Sequence, residues 1–145
     1  MSRNRLQYLT ANDWVLINAK AEKLVFRLGD VIIKEGSMGD ALYVIRRGMA
    51  SVELTGINSR TVIAQLEPED ICGDMAFVEK STATASVIAK EDRVEVDAIQ
   101  AVDLVRLFEA FPGLASRFYH SLAVVLAHRL ADTSKRLADA KTTRK

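Results

Sequence analysis

The chain has one cysteine, Cys72, so it can close no internal disulfide and build no multi-cysteine metal site. Set in the short apolar run Asp70-Ile71-Cys72, that thiol reads as a small buried hydrophobe. Long apolar runs are missing too. None approaches the ~18 residues of a membrane span, and the opening MSRNRLQYLTANDW lacks the apolar segment of a secretion signal, so a soluble cytoplasmic protein is expected. Charge of one sign is equally scarce: 20 Lys and Arg against 19 Asp and Glu leave a net +1, which signals no strongly basic face for nucleic acid. No internal repeat or low-complexity linker interrupts the chain.

What is present suits one domain, residues 1–145, with 49% apolar and 27% charged residues. Thr10 followed by Asp13 has the form of a helix N-cap with an acid at N3, and Trp14, Leu16, Ile17, Ala21 and Leu24 supply an apolar stripe, so a helix is predicted over 11–22. From 24 to 99 the texture changes to short β-branched or aromatic runs (LVFRL, VIIKE, ALYVIRR, ASVEL, TVIAQL, ASVIA, VEVDAI) separated by turn residues. About seven or eight strands so spaced predict an antiparallel sandwich or barrel, and periodicity does not choose between them.

Past Ile99 the period lengthens, with AVDLVRLFEAF, a break at Pro112-Gly113, and a proline- and glycine-free stretch to about Ala140; helices are predicted over 100–140. At ~1.5 Å per residue the last would extend roughly 40 Å, more than a small barrel needs for its own cover. Leu126, Leu130, Thr133, Leu137 and Ala140 are spaced 4-3-4-3, the seam of a helix pair, and predict a homodimer through this helix.

The succession FRLGDVIIKEGSMGDALYVIRRGMASVEL, TVIAQLEPEDICGDMAF and ATASV, with its terminal helices, resembles the cyclic nucleotide-binding domain of the catabolite activator and of the regulatory subunits of cAMP-dependent protein kinase. The resemblance covers about 14–130 and rests most on the glycine frame Gly29, Gly36, Gly48 and Gly73. It implies a β-roll of double-stranded β-helix type, jelly-roll-like, with a short N-terminal helix and a C-terminal helix pair ending in one long helix. It also implies a ligand site at 73–86. There the family's ribose-binding glutamate falls on Asp74, its phosphate-binding amides on Met75, Ala76 and Phe77, and its phosphate-binding arginine on Ala83. Gly73 lets the backbone approach a ligand or simply makes a turn. Asp74 accepts a ribose hydroxyl or merely stabilises the helix dipole, and the amides alone cannot choose a nucleotide.

Ala83 is the departure from the family pattern. A charge-assisted hydrogen bond contributes about 1.5–3 kcal/mol, so its loss weakens a cyclic phosphate by roughly ten- to a hundredfold, and an Asp74 standing alone would repel the phosphate further. Candidates to compensate are Lys80 in the loop, the hydroxyls of Thr82, Thr84 and Ser86, and Arg46 or Arg47 on a neighbouring strand.

No catalytic constellation emerges. His120 and His128 lie about 80° apart around one helix, Ser121 beside His120 is not a triad, and GDMAF lacks the GK[ST] ending of a phosphate-binding loop. The basic end at Lys135, Arg136, Lys141, Arg144 and Lys145 reads as a solvated terminus, and no DNA-reading helix-turn-helix is expected. The expectation is a non-enzymatic regulatory module without a cofactor. It would bind cAMP, cGMP or a related anion weakly and act through an unknown protein effector in trans. The rival is a degenerate copy of the fold serving as a dimerisation or docking scaffold.

Overall fold

The computed structural model describes residues 4–143. Helix α1 (Ala11–Asn18) opens on a complete capping box: the Asp13 amide donates to Thr10 Oγ1 at 3.0 Å and the Thr10 amide to Asp13 Oδ2 at 2.9 Å. It is shorter than the predicted 11–22, because Glu22 already pairs with Ala98 at the start of β1 (Glu22–Phe26). The strand ladder takes the residues that the apolar stripe had assigned to the helix.

Seven more strands follow: β2 (Val31–Ile33), β3 (Ala41–Arg47), β4 (Ala50–Thr55), β5 (Arg60–Leu66), β6 (Ile71–Cys72), β7 (Ser86–Ala89) and β8 (Val94–Gln100), with helix α2 (Asp74–Glu79) between β6 and β7. They form two antiparallel four-stranded sheets, ordered β1-β8-β3-β6 and β2-β7-β4-β5, which is the expected β-roll. The alternating side chains of β3 and β8 separate two cores. Ile45, Val94 and Val96 pack inside the roll with Ile33, Leu66 and Cys72. Leu42, Val44 and Ile99 face the other way, into a helical core with Phe77, Leu104 and Phe118. Each fully buried side chain of this size contributes about 1.5–3 kcal/mol.

Helix α3 (Ala101–Ala110) and helix α4 (Pro112–Thr143) close that second core. Pro112 starts α4 rather than merely ending α3, since the first helical position needs no amide donor. At 32 residues α4 extends ~48 Å: Leu114, Phe118, Leu122 and Val125 are buried along its first half, and beyond them Arg136, expected in a solvated terminus, donates from Nη1 to the Ile63 carbonyl. Leu126 rests partly on the helical core, so of the leucines in the predicted seam Leu130 and Leu137 stand in solvent, at 68% and 61% exposure. Among the described residues no helix is long and apolar enough to cross a membrane.

Candidate functional site

Strand β6 runs into Gly73, whose φ of +82° belongs to the left-handed region, and a Cβ there would lie 2.8 Å from the Ala41 carbonyl oxygen. Only glycine makes this turn without displacing β3. Helix α2 follows, with the Phe77 amide donating to the Gly73 carbonyl at 3.1 Å, and the helix ends at Lys80 with φ +56°. The chain then zips onto the β2–β3 connection. Ala83 donates to Ser37 O at 2.7 Å, Gly36 to Ala83 O at 2.8 Å, and Gly39 to Ser81 O at 3.2 Å. Helix α2 lies so close to Gly39 that a Cβ there would overlap the Cβ of Ala76.

These segments border a half-open cavity of about 840 Å³, within the range of small-molecule sites. Gly73, Ala76, Ala83 and Ser86 line it, together with Ile33 and Tyr43 of the roll. Burial pushes the Tyr43 phenol above its ordinary pKa, so it stays protonated as a hydrogen-bond donor. The Ser86 hydroxyl accepts from the Glu35 amide at 2.9 Å and is thereby fixed to β2's end.

The other four residues singled out from the sequence lie off the wall. Met75 and Thr84 are exposed, and Phe77 is buried in the helical core, edge-on to Phe118. Asp74 is buried, but its carboxylate turns to α4. Arg129 Nη1 donates to Asp74 Oδ2 at 2.8 Å and Nη2 to Oδ1 at 3.1 Å, while Arg129 Nε donates to Asn4 Oδ1 at 2.8 Å. The carboxylate therefore does not stand alone, and the expected repulsion of a phosphate by an unpaired Asp74 is cancelled by the guanidinium beside it. Arg129 lies on the buried face of α4, four residues after Val125 and seven after Leu122. A cation on an apolar stripe was the sequence signal for a buried acid, and its partner 55 residues earlier was not readable from spacing.

The compensating cations also fall elsewhere. Arg46 donates to Asp97 Oδ2 at 2.8 Å, to Glu69 Oε2 at 2.9 Å and to Asn18 Oδ1 at 2.8 Å, and lies 5.1 Å over the Trp14 ring. Arg47 points to Glu95 at 3.5 Å, and neither it nor Lys80 lines the cavity. The cations on the wall are Lys34 and Arg60, set against Glu35 and Asp40. Arg60 is 67% exposed and only 3.9 Å from Glu53, whose carboxylate is already met by Lys90 at 2.9 Å.

Elsewhere polar groups serve packing. Ser121 Oγ accepts from the Tyr8 amide at 3.0 Å, and His120 stacks on Tyr8 with centroids 4.2 Å apart. Cys72 is buried, as expected of a small apolar side chain, and desolvation pushes its thiol far above the ordinary value. Among the described residues no group of three His, Cys, Asp or Glu side chains could hold a metal ion.

Known proteins resemble the chain in sequence and in fold. The family model described as "Cyclic nucleotide-binding domain" matches residues 23–111. Over 144 residues the chain is 27% identical to "Cyclic GMP-binding protein C" of Dictyostelium discoideum, covering 94% of the chain and 6% of that protein. Over 117 residues it is 28% identical to the "Cyclic AMP receptor protein" of Thermus thermophilus, covering 80% of the chain and 52% of the relative. The crystal structure of the Thermus thermophilus catabolite activator protein superposes with a TM-score of 0.78 at 26% identity, over 94% of the chain and 62% of that structure.

Proposed function

The chain belongs to the cyclic nucleotide-binding domain family, and from that premise we propose that it is a non-catalytic, cytoplasmic regulatory module whose cavity takes a cyclic nucleotide or related anion weakly. The observation that carries this reading is the cavity itself: about 840 Å³, walled by Gly73, Ala76 and Ala83, with Tyr43 as a protonated donor. The names of the two relatives support cAMP or cGMP as first candidates. Weakness follows from Ala83, which leaves the segment 73–86 without a guanidinium for the phosphate. Arg60 and Lys34 are exposed and supply only solvent-screened charge. Output passes through α4, which packs on the cavity's supporting core and presents Leu130 and Leu137 to a second copy or to an effector in trans.

A second reading, a scaffold that binds no nucleotide, is favoured by one observation: Asp74 is engaged by Arg129 rather than directed at the cavity. Calorimetric titration with cAMP, cGMP and cyclic dinucleotides at low salt separates the two. Saturable heat with any of them supports the sensor, and silence at millimolar concentration supports the scaffold.

A further inference from the structure

Residues 4–9, ahead of the Thr10 cap, form neither helix nor strand, yet they are tied down at every other position. Leu6 is 3% exposed and sits in the helical core. Two residues later the Tyr8 amide donates to Ser121 Oγ on α4 at 3.0 Å, and the Tyr8 ring stacks on His120. Two residues earlier Asn4 meets two elements at once. Its carbonyl oxygen accepts from the Ile71 amide of β6 at 3.0 Å, and its Oδ1 from Arg129 Nε on α4 at 2.8 Å. Strand β6 leads straight into the Gly73 turn of the cavity wall, so one residue joins the root of that turn to α4.

The two contacts with α4, at Ser121 and Arg129, lie ~12 Å apart along the helix. The inner one is set among the buried Phe118, Leu122 and Val125, whereas the outer one lies where the buried face ends and Leu130 enters solvent. Packing around the outer contact is incomplete. Arg5 Nε and His128 Nδ1, each next in sequence to a partner in the Asn4–Arg129 bond, are shut off from solvent without a hydrogen-bond partner among the described residues. A stranded nitrogen opposes the state that strands it, because water pairs it once the contact opens. Bonds to Arg129 therefore hold the outer contact shut while its neighbours favour opening.

We propose that residues 4–9 form a latch on α4: the contact of Tyr8 with Ser121 is a fixed pivot, and that of Asn4 with Arg129 opens to let α4 lift from the roll beyond Val125. The proposal rests on reading α4 as the output element. Opening also releases Arg136 from the Ile63 carbonyl. A displacement of the Gly73 turn reaches Asn4 through the Ile71 amide, so the latch couples the cavity to α4.

Hydrogen exchange read by mass spectrometry, on the full chain without ligand, tests this. Asn4→Ala removes the Oδ1 acceptor and leaves the Asp74 pair on Arg129 in place, so the amides of residues 126–132 should exchange about fivefold faster. Those of residues 114–122, on the near side of the pivot, should stay within about twofold of wild type. Arg5→Met keeps the apolar stem and removes the stranded nitrogen, so the same 126–132 amides should exchange about fivefold slower, a gain that a merely structural segment does not give. Asn4→Leu keeps most of the volume without the acceptor and stands in if the alanine variant fails to fold. Equal acceleration on both sides of the pivot, or none on either, overturns the latch. Unchanged or faster exchange in Arg5→Met overturns the opposition of the stranded nitrogens, and with it the readiness of the outer contact to open. Because no ligand is added, silence in the nucleotide titration removes the reading of the cavity without altering these outcomes.

Discussion

Replacing Arg129 by Met keeps most of the side-chain volume and removes the charge, leaving the Asp74 carboxylate buried without a cation. Breaking a fully buried pair from one side costs about 3–5 kcal/mol. Arg129 is 30% exposed, so water can reach part of the vacated space and the cost should fall to about 2–4 kcal/mol. In a chain of 145 residues that lowers Tm by roughly 5–15 °C. Urea denaturation monitored by circular dichroism gives the free energy, with guanidinium avoided because its ions screen the pair. Removing both charges tells more: Asp74→Ala with Arg129→Met leaves nothing charged to bury, so at least half of the lost stability should return. A single variant within about 0.5 kcal/mol of wild type would mean that the pair behaves as an ordinary surface contact.

Three other outcomes are expected. Ala83→Arg should tighten cAMP binding about tenfold, with the gain shrinking as salt is added, and calorimetry showing no gain in a folded variant would mean that position 83 does not address the phosphate. Replacing Leu130 and Leu137 together by Asp should convert a homodimer to a folded monomer in sedimentation at tens of micromolar, since both side chains are exposed on α4 and neither core depends on them. Asp13 is held at a pKa of about 2, below its ordinary 3.8, first by its hydrogen bonds from Arg117 at 2.7 and 2.8 Å. Its contribution is therefore complete above about pH 4 and lost as pH falls through 2, so the stability gap between wild type and Asp13→Asn should be constant at neutral pH and close between pH 4 and 2. A gap that persists undiminished at pH 2 would refute that assignment.

The roll was legible because its signals are local. Gly29, Gly36, Gly48 and Gly73 all adopt positive φ, and the β-branched runs between them became the strands. The capping box at Thr10 was readable because it closes within three residues. The site was legible only where backbone geometry sets it. Gly73, Ala76, Ala83 and Ser86 reach the wall because the turn at Gly73 and the zipper between 36–39 and 81–83 put them there. The direction of Asp74 depended on a guanidinium 55 residues later in α4, and that of Arg46 on Asp97, Glu69 and Trp14 from three separate elements. Side-chain aim of this kind is set by tertiary packing, which no window of sequence contains.

The close approach of Gly39 to Ala76 makes the two positions one unit of variation. A Cβ at 39 would overlap the Ala76 Cβ and lie 3.0 Å from its backbone, so any side chain at 39 pushes α2 away from the β2–β3 connection. A library randomised at residue 39 alone would therefore return little beyond Gly. Reshaping the cavity for another ligand has to begin elsewhere on the wall, at Ala83 or on the roll side at Ile33 and Tyr43, where a new side chain grows into open volume rather than into a helix.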